Sequence, residues 1–146
     1  MVPRRATGYR CIIINARLAC KDVVALPPVV VFIVDANEST QEALARVMRA
    51  AGFKVCCARS VEELMKMERP TRDAIILADE NTARPFAESL PRYLHHKKQT
   101  LPVIFLTDYD SDYAREEARQ AGAAGYFRKP VDDQALLDTI SFAVRL

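Results

Sequence analysis

The stretch Val29-Val-Val-Phe-Ile-Val34, closed by Asp35, decides the fold. A continuous apolar, β-branched run is how a strand buried on both faces reads in a parallel sheet. Just upstream, Pro27-Pro28 can continue neither a helix nor a central strand, so a domain is expected to begin at Val29 and run to Leu146. Residues 1–28 are then an N-terminal basic tail, expected to be disordered. Downstream, Ser39-Thr-Gln-Glu42 reads as a capping box. It opens a helix whose apolar stripe is Ala43, Leu44, Val47, Met48 and Ala51, and whose stop is Gly52.

This strand-then-helix unit recurs. Lys54–Cys57 reads as a strand, and a second capping box, Ser60-Val-Glu-Glu63, opens a short helix to about Met67 before the Arg69-Pro70 break. Strand Ala74–Ala78, a helix from about Pro85 to His96 and strand Val103–Leu106 follow. A helix over Ser111–Ala121 stops at Gly122, then come strand Ala123–Phe127 and a last amphipathic helix, Asp132–Val144. Alternation of short apolar strands with helices requires parallel pairing through right-handed crossovers. The expected fold is therefore α/β, a three-layer doubly wound sheet of five parallel strands.

With 146 residues, half of them hydrophobic and 27% charged, the chain suits one ordinary domain with a real core. The tail holds Arg4, Arg5, Arg10, Arg17 and Lys21 against Asp22 alone. Subtracting five from 21 basic and one from 19 acidic residues leaves 16 and 18, so the body is nearly neutral and offers no basic footprint for nucleic acid. The four cysteines, Cys11, Cys20, Cys56 and Cys57, form no C-x-x-C pair and have no His at metal-ligand spacing, which fits small buried hydrophobes in a reducing cytoplasm. No apolar run reaches the roughly 18 residues of a membrane span. The basic start and Cys11-Ile-Ile-Ile14 are faintly similar to a signal or transit peptide, but Asn15 and Arg17 break the run. A disordered tail, or a start codon assigned too early, are the simpler readings.

In doubly wound sheets functional groups gather beyond the carboxyl ends of the strands. Asp35 follows the first strand, Asp79 the third, Thr107 ends the fourth, and Lys129-Pro130 follows the fifth. Two carboxylates brought together repel, unless an ammonium such as Lys129 or a hard divalent cation keeps both ionised. With the Thr107 hydroxyl added, these are the parts needed to make an aspartyl phosphate. Any single Asp after a strand is more often a helix cap or turn former than a nucleophile. Four such groups at four strand ends are harder to explain that way.

With those residues in place, the chain from Val29 to Leu146 resembles the receiver domain of bacterial two-component response regulators. The resemblance is carried by the apolar strand into Asp35, Asp79 at 44 residues beyond it, and Leu106-Thr107 and Lys129-Pro130 at 28 and 50 beyond Asp79. Ala121-Gly-Ala and Tyr126 also match. The resemblance implies a flavodoxin-like (βα)5 fold with strand order 2-1-3-4-5. It implies that Asp79 accepts a phosphoryl group from a sensor histidine kinase or phosphotransfer protein, that Lys129 pairs with the phosphate, and that Thr107 swings to bond it. Tyr126 would rotate inward behind Thr107, and Pro130 would follow a cis peptide bond. Mg2+ would be held by Asp35, Asp79 and a backbone carbonyl near Asn81. The chain would then be a signalling module and not an enzyme, passing its state to a downstream effector protein. It would bind no nucleic acid directly and no membrane, and a homodimer would form through helix 111–121 and the last helix.

The sequence also departs from that family. Two adjacent acids are usual after the first strand, whereas here Ala36 follows Asp35, so metal affinity should drop unless Asn37 and Glu38 compensate. The stretch Glu80-Asn-Thr-Ala-Arg-Pro-Phe-Ala87 is atypical, with Pro85 standing in for the turn, and Asn81 and Tyr109 occupy positions that tune phosphate lifetime in the family. A phosphorylation-independent pseudo-receiver, acting as a protein–protein interaction module, is the alternative reading. A flavin- or nucleotide-binding protein would need a Gly-rich or Ser/Thr-rich phosphate loop after strand one, and Asp35-Ala-Asn-Glu38 is acidic and Gly-free.

Overall fold

The computed structural model describes residues 10–13, 23–26, 28–83, 90–91, 94 and 101–144. The strands are β1 (Arg10–Ile13), β2 (Val23–Leu26), β3 (Val30–Val34), β4 (Lys54–Ala58), β5 (Ala74–Asp79), β6 (Val103–Thr107) and β7 (Gly125–Arg128). Among the described residues the helices are α1 (Glu38–Ala50), α2 (Val61–Lys66), α3 (Glu80–Ala83), α4 (Asp112–Gln120) and α5 (Asp133–Ala143). Strands β3 to β7 form one parallel sheet in the order β4-β3-β5-β6-β7, which is 2-1-3-4-5 counted from β3. This is the doubly wound, flavodoxin-like arrangement read from the sequence.

Side chains alternate across the sheet and feed two cores. Phe32, Val34, Ile76, Ala78 and Phe105 pack on one face with Leu64, Leu90 and Leu94. Val31, Ile33, Ile75, Leu77, Ile104 and Leu106 pack on the other with Ala45, Met48, Leu136 and Ile140. Strand β5 is buried along its whole length. That burial is why Asp79, its last residue, emerges from a dry interior.

Local details correct several expectations. The cap of α1 is Asn37 and not Ser39: the Asn37 side chain accepts the Thr40 N–H at 3.1 Å, so the helix starts earlier. The buried face turns accordingly onto Ala45 and Met48, with Ala43 and Ala51 exposed. Ser60 does cap α2, accepting the Glu63 N–H at 3.1 Å. Gly52 and Gly122 stop their helices at φ of +94° and +93°, a conformation costly for other residues. Strand β7 starts at Gly125 and not at Ala123.

Within the stretch expected to be disordered, β1 pairs antiparallel with β2, Cys11 opposite Ala25 and Ile12 opposite Val24. The β-branched content of both segments accounts for the pairing. Most of the helix expected from Pro85 to His96 lies outside the described residues, as does Pro85 itself.

Candidate functional site

The sheet brings Asp35, Asp79, Thr107 and Lys129 to one edge. The Asp35 N–H donates to the Ala58 carbonyl, continuing the sheet ladder one residue past β3. Asp79 and Thr107 end their own strands, and the Lys129 N–H donates to the Thr107 carbonyl at 2.7 Å, carrying the β6–β7 pairing one residue further. The Lys129-Pro130 bond is cis, as the resemblance implies. Asp35, Asp79 and Thr107 are the buried polar residues of the described chain, at 2%, 7% and 3% exposure.

The Lys129 Nζ sits between the carboxylates, 2.7 Å from Asp79 Oδ1 and 3.1 Å from Asp35 Oδ2. Burial by itself would raise the Asp79 pKa and lower that of Lys129. For Asp79 the hydrogen bonds from Lys129 and Thr82, with the ammonium charge, outweigh burial and hold the carboxyl below its ordinary range. For Lys129 the bonds to Asp79 and Asp35 likewise prevail, and the ammonium is held above its ordinary value. The Lys129 ammonium and the Thr82 donors therefore keep Asp79 ionised at the rim of the core.

The remaining acceptors are filled by backbone and by Thr82. Asp35 Oδ1 accepts the Asn37 N–H at 2.8 Å. Asp79 Oδ2 accepts both the N–H and the Oγ1–H of Thr82, at 2.9 and 2.8 Å, and Thr82 Oγ1 in turn accepts the Ala36 N–H at 3.0 Å. Sequence reasoning passed over Thr82. Its signal was a hydroxyl residue three positions after Asp79, which from sequence alone reads as turn composition.

Thr107 Oγ1 accepts the Tyr109 N–H at 3.0 Å, and its own proton lies within reach of the Tyr109 carbonyl at 2.9 Å and of Glu80 Oε1 at 3.1 Å. Glu80 is the second residue that sequence reasoning missed. Tyr126 is buried, with its hydroxyl 3.4 Å from the Tyr109 carbonyl, so it already lies inward beside Thr107. Burial pushes its phenol pKa up, and the neighbouring carboxylates of Glu80 and Asp110 add to the shift. Arg115 lies over the Tyr126 ring at 5.3 Å and pairs with Asp110 at 2.7 Å. Asn81 is exposed on α3, two residues beyond Asp79.

Mg2+ takes oxygen ligands in a near-octahedral shell and is usually held by one or two carboxylates. Here Asp35 and Asp79 both turn an oxygen to Lys129, Thr82 fills the other Asp79 oxygen, and residue 36 offers only a methyl group. The Asn37 side chain caps α1, so it does not make up the deficit. Among the described residues no cluster of three or more His, Cys, Asp or Glu is suited to a metal ion. As arranged, these residues do not fit a resident Mg2+.

Fold and edge together define a class: a doubly wound α/β module with a lysine-bridged pair of aspartates at the carboxyl ends of its strands. The response regulator receiver domain family matches residues 31–141, and the chain belongs to it. It is similar to the response regulator protein TodT of Pseudomonas putida, 25% identical over 117 residues, which cover 80% of this chain and 52% of TodT. The chain thus spans about half the length of that relative. The crystal structure of FixJ-N superposes with a TM-score of 0.72 at 26% identity, covering 83% of this chain and 98% of that one. A response regulator protein from Burkholderia pseudomallei, solved with a phosphorylated aspartic acid, calcium ion and citrate, shares the fold. Its TM-score is 0.65 at 24% identity, over 76% of this chain and 65% of that one.

Proposed function

We propose that this receiver domain accepts a phosphoryl group on Asp79 from a phosphohistidine of a sensor histidine kinase or phosphotransfer protein. The observation that carries the reading is the 2.7 Å contact between Lys129 Nζ and Asp79 Oδ1, made at a buried strand end one strand away from Thr107. Oδ2 already accepts two hydrogen bonds, whereas Oδ1 accepts one and keeps a lone pair free. Oδ1 is therefore the attacking atom: its bond to phosphorus forms as the phosphorus–nitrogen bond breaks, and the imidazole leaves with the electron pair. Lys129 offsets the charge that arrives. The new dianion competes with Glu80 for the Thr107 hydroxyl, and α4, β7 and Tyr126 carry the change to an effector protein.

On this reading the chain is a cytoplasmic signalling module and not an enzyme. Residues 29–146 form the receiver and residues 1–28 a separate basic segment. The nearly neutral body speaks against direct nucleic-acid binding, and among the described residues no helix is long and apolar enough to cross a membrane. Tyr113 on α4 and Phe142 on α5 are exposed, which supports a homodimer through these helices. A second reading, the phosphorylation-independent interaction module, is favoured by the Glu80–Thr107 contact, which already engages the Thr107 hydroxyl, and by Ala36 beside Asp35.

Incubation with acetyl phosphate, followed by intact mass measurement, tests the first reading. One added phosphoryl group is expected on the wild type and none on Asp79→Asn. An unmodified wild-type chain, with and without Mg2+, would leave the second reading in possession.

A further inference from the structure

We propose that Thr82 is a positioning residue which takes, with neutral hydrogen-bond donors, the place of a divalent cation at Asp79. The inference rests on Asp79 being the working group of the site. Its geometric basis is a relay: the Ala36 N–H donates to Thr82 Oγ1 at 3.0 Å, and Thr82 Oγ1 donates to Asp79 Oδ2 at 2.8 Å. Because Oγ1 accepts from Ala36, its single proton is directed at Asp79.

Thr82 adds its own N–H to Oδ2 at 2.9 Å, so one residue fills both in-plane sites of that oxygen. Bonds of this kind to an ionised acceptor are among the stronger hydrogen bonds. The relay also ties the segment after β3 to the segment after β5, across 46 residues of chain.

A cation at Oδ2 would have to displace these donors, and among the described residues no cluster of acids is suited to hold it in their place. Residue 36 is the one within one hydroxyl of Oδ2, and it is an alanine. Of the other acids at the edge, Asp35 has Oδ1 engaged by Asn37 and Oδ2 by Lys129, and Glu80 turns Oε1 to Thr107. Thr82 thus does two things a metal would do, fixing the carboxylate plane and joining two strand-end segments. It brings no charge, so neutralisation falls to Lys129 alone. Exposing Oδ1 for attack while Oδ2 is held is the outcome, and it needs no ion.

The proposal separates two substitutions that simple restoration of an acid would merge. Ala36→Asp supplies a carboxylate but keeps the main-chain N–H, so the relay persists and Mg2+ affinity rises little. Thr82→Val, close in shape, removes the hydroxyl and frees one site on Oδ2. Only the double variant offers both a ligand and a vacancy.

The test is calorimetric titration of the full chain with MgCl2, paired with broadening of amide resonances near Asp79 by Mn2+. Ala36→Asp/Thr82→Val is expected to bind Mg2+ about tenfold or more tightly than Ala36→Asp, the scale set by removing one competing hydrogen bond to a charged oxygen. Thr82→Ser on the Ala36→Asp background should behave as Thr does, and Thr82→Ala serves in place of Val if the latter does not fold. Equal Mg2+ affinity with and without the hydroxyl, or a wild type that binds as tightly as the double variant, would overturn the proposal. Neither measurement involves phosphorylation. Failure of Asp79 to take a phosphoryl group alongside the expected metal pattern would therefore remove the proposed function and leave this inference standing.

Discussion

Strand β5 and helix α4 flank the same site and are held in opposite ways. All six residues of β5, Ala74–Asp79, are buried, and they pair with β3 on one side and β6 on the other. Along Asp112–Gln120, α4 buries Ala118 alone, with Ala121 just past its end. Ala114 packs half-buried against the same core, and Arg115 lies over the Tyr126 ring while reaching the Tyr126 carbonyl at 3.4 Å and Asp110 at 2.7 Å. The Asp79 carboxylate is thus fixed to a fully buried strand, and the surface beside it is fastened by a few alanine methyl groups and Arg115. Little buried apolar area means that a small free energy shifts or opens α4.

The strongest attempt to break this contrast is Ile76→Ala, which empties a fully buried site in β5 and should cost about 4 kcal/mol in urea unfolding. A loss below about 1 kcal/mol would mean that the strand is not the anchor described. Next comes Lys129→Met, which leaves Asp35 and Asp79 buried without their shared cation; about 3 kcal/mol is expected at neutral pH.

The pH dependence sharpens that second case. In the wild type the depressed Asp79 pKa contributes stability above the ordinary carboxylate range, lost as pH falls through the lower folded value. The raised Lys129 pKa contributes stability below the ordinary lysine range, lost as pH rises through the higher folded value. In Lys129→Met the slope on the acid side should reverse, since a fall in pH lets one carboxyl take a proton and end the repulsion. Unfolding midpoints measured across pH check the sign.

The smallest effect belongs to α4. Ala118→Gly should cost about 1.5 kcal/mol, from helix propensity and one buried methyl. Its signature is faster amide exchange confined to α4, with β5 unchanged. Equal acceleration in β5 would show that the two regions open together.

The strands of the parallel sheet were legible because runs such as Val29–Val34 and Ala74–Ala78 are apolar without interruption, and only a strand covered on both faces calls for that. The convergence of Asp35, Asp79, Thr107 and Lys129 at the strand ends follows from that reading, whereas the strand order was legible only through the family resemblance. The start of α1 was misplaced because Asn37 and Ser39 are both good caps, and the choice depends on which side chain meets a free N–H, here that of Thr40. The buried stripe centres on Ala45 and Met48, with Leu44 and Val47 half-buried beside them, a setting decided by packing on the sheet. Thr82 and Glu80 were missed for a different reason: their partners, Ala36 and Thr107, lie 46 and 27 residues away, and no local pattern encodes such a contact. The expected metal ligands show the converse, since Asp35 and Asp79 meet as foreseen but with Lys129 between them and Asp79 Oδ2 taken by Thr82.

The donor that anchors Thr82 belongs to the main chain of residue 36 and not to its side chain. Any residue except proline supplies that N–H, so position 36 is free to drift without loosening the relay. Position 82 has no such freedom, because only serine or threonine offers a hydroxyl at that reach. Among homologous chains the arrangement would be recognised by a hydroxyl residue three places after the buried aspartate that ends the central strand, and poorly by whatever stands beside the first acid.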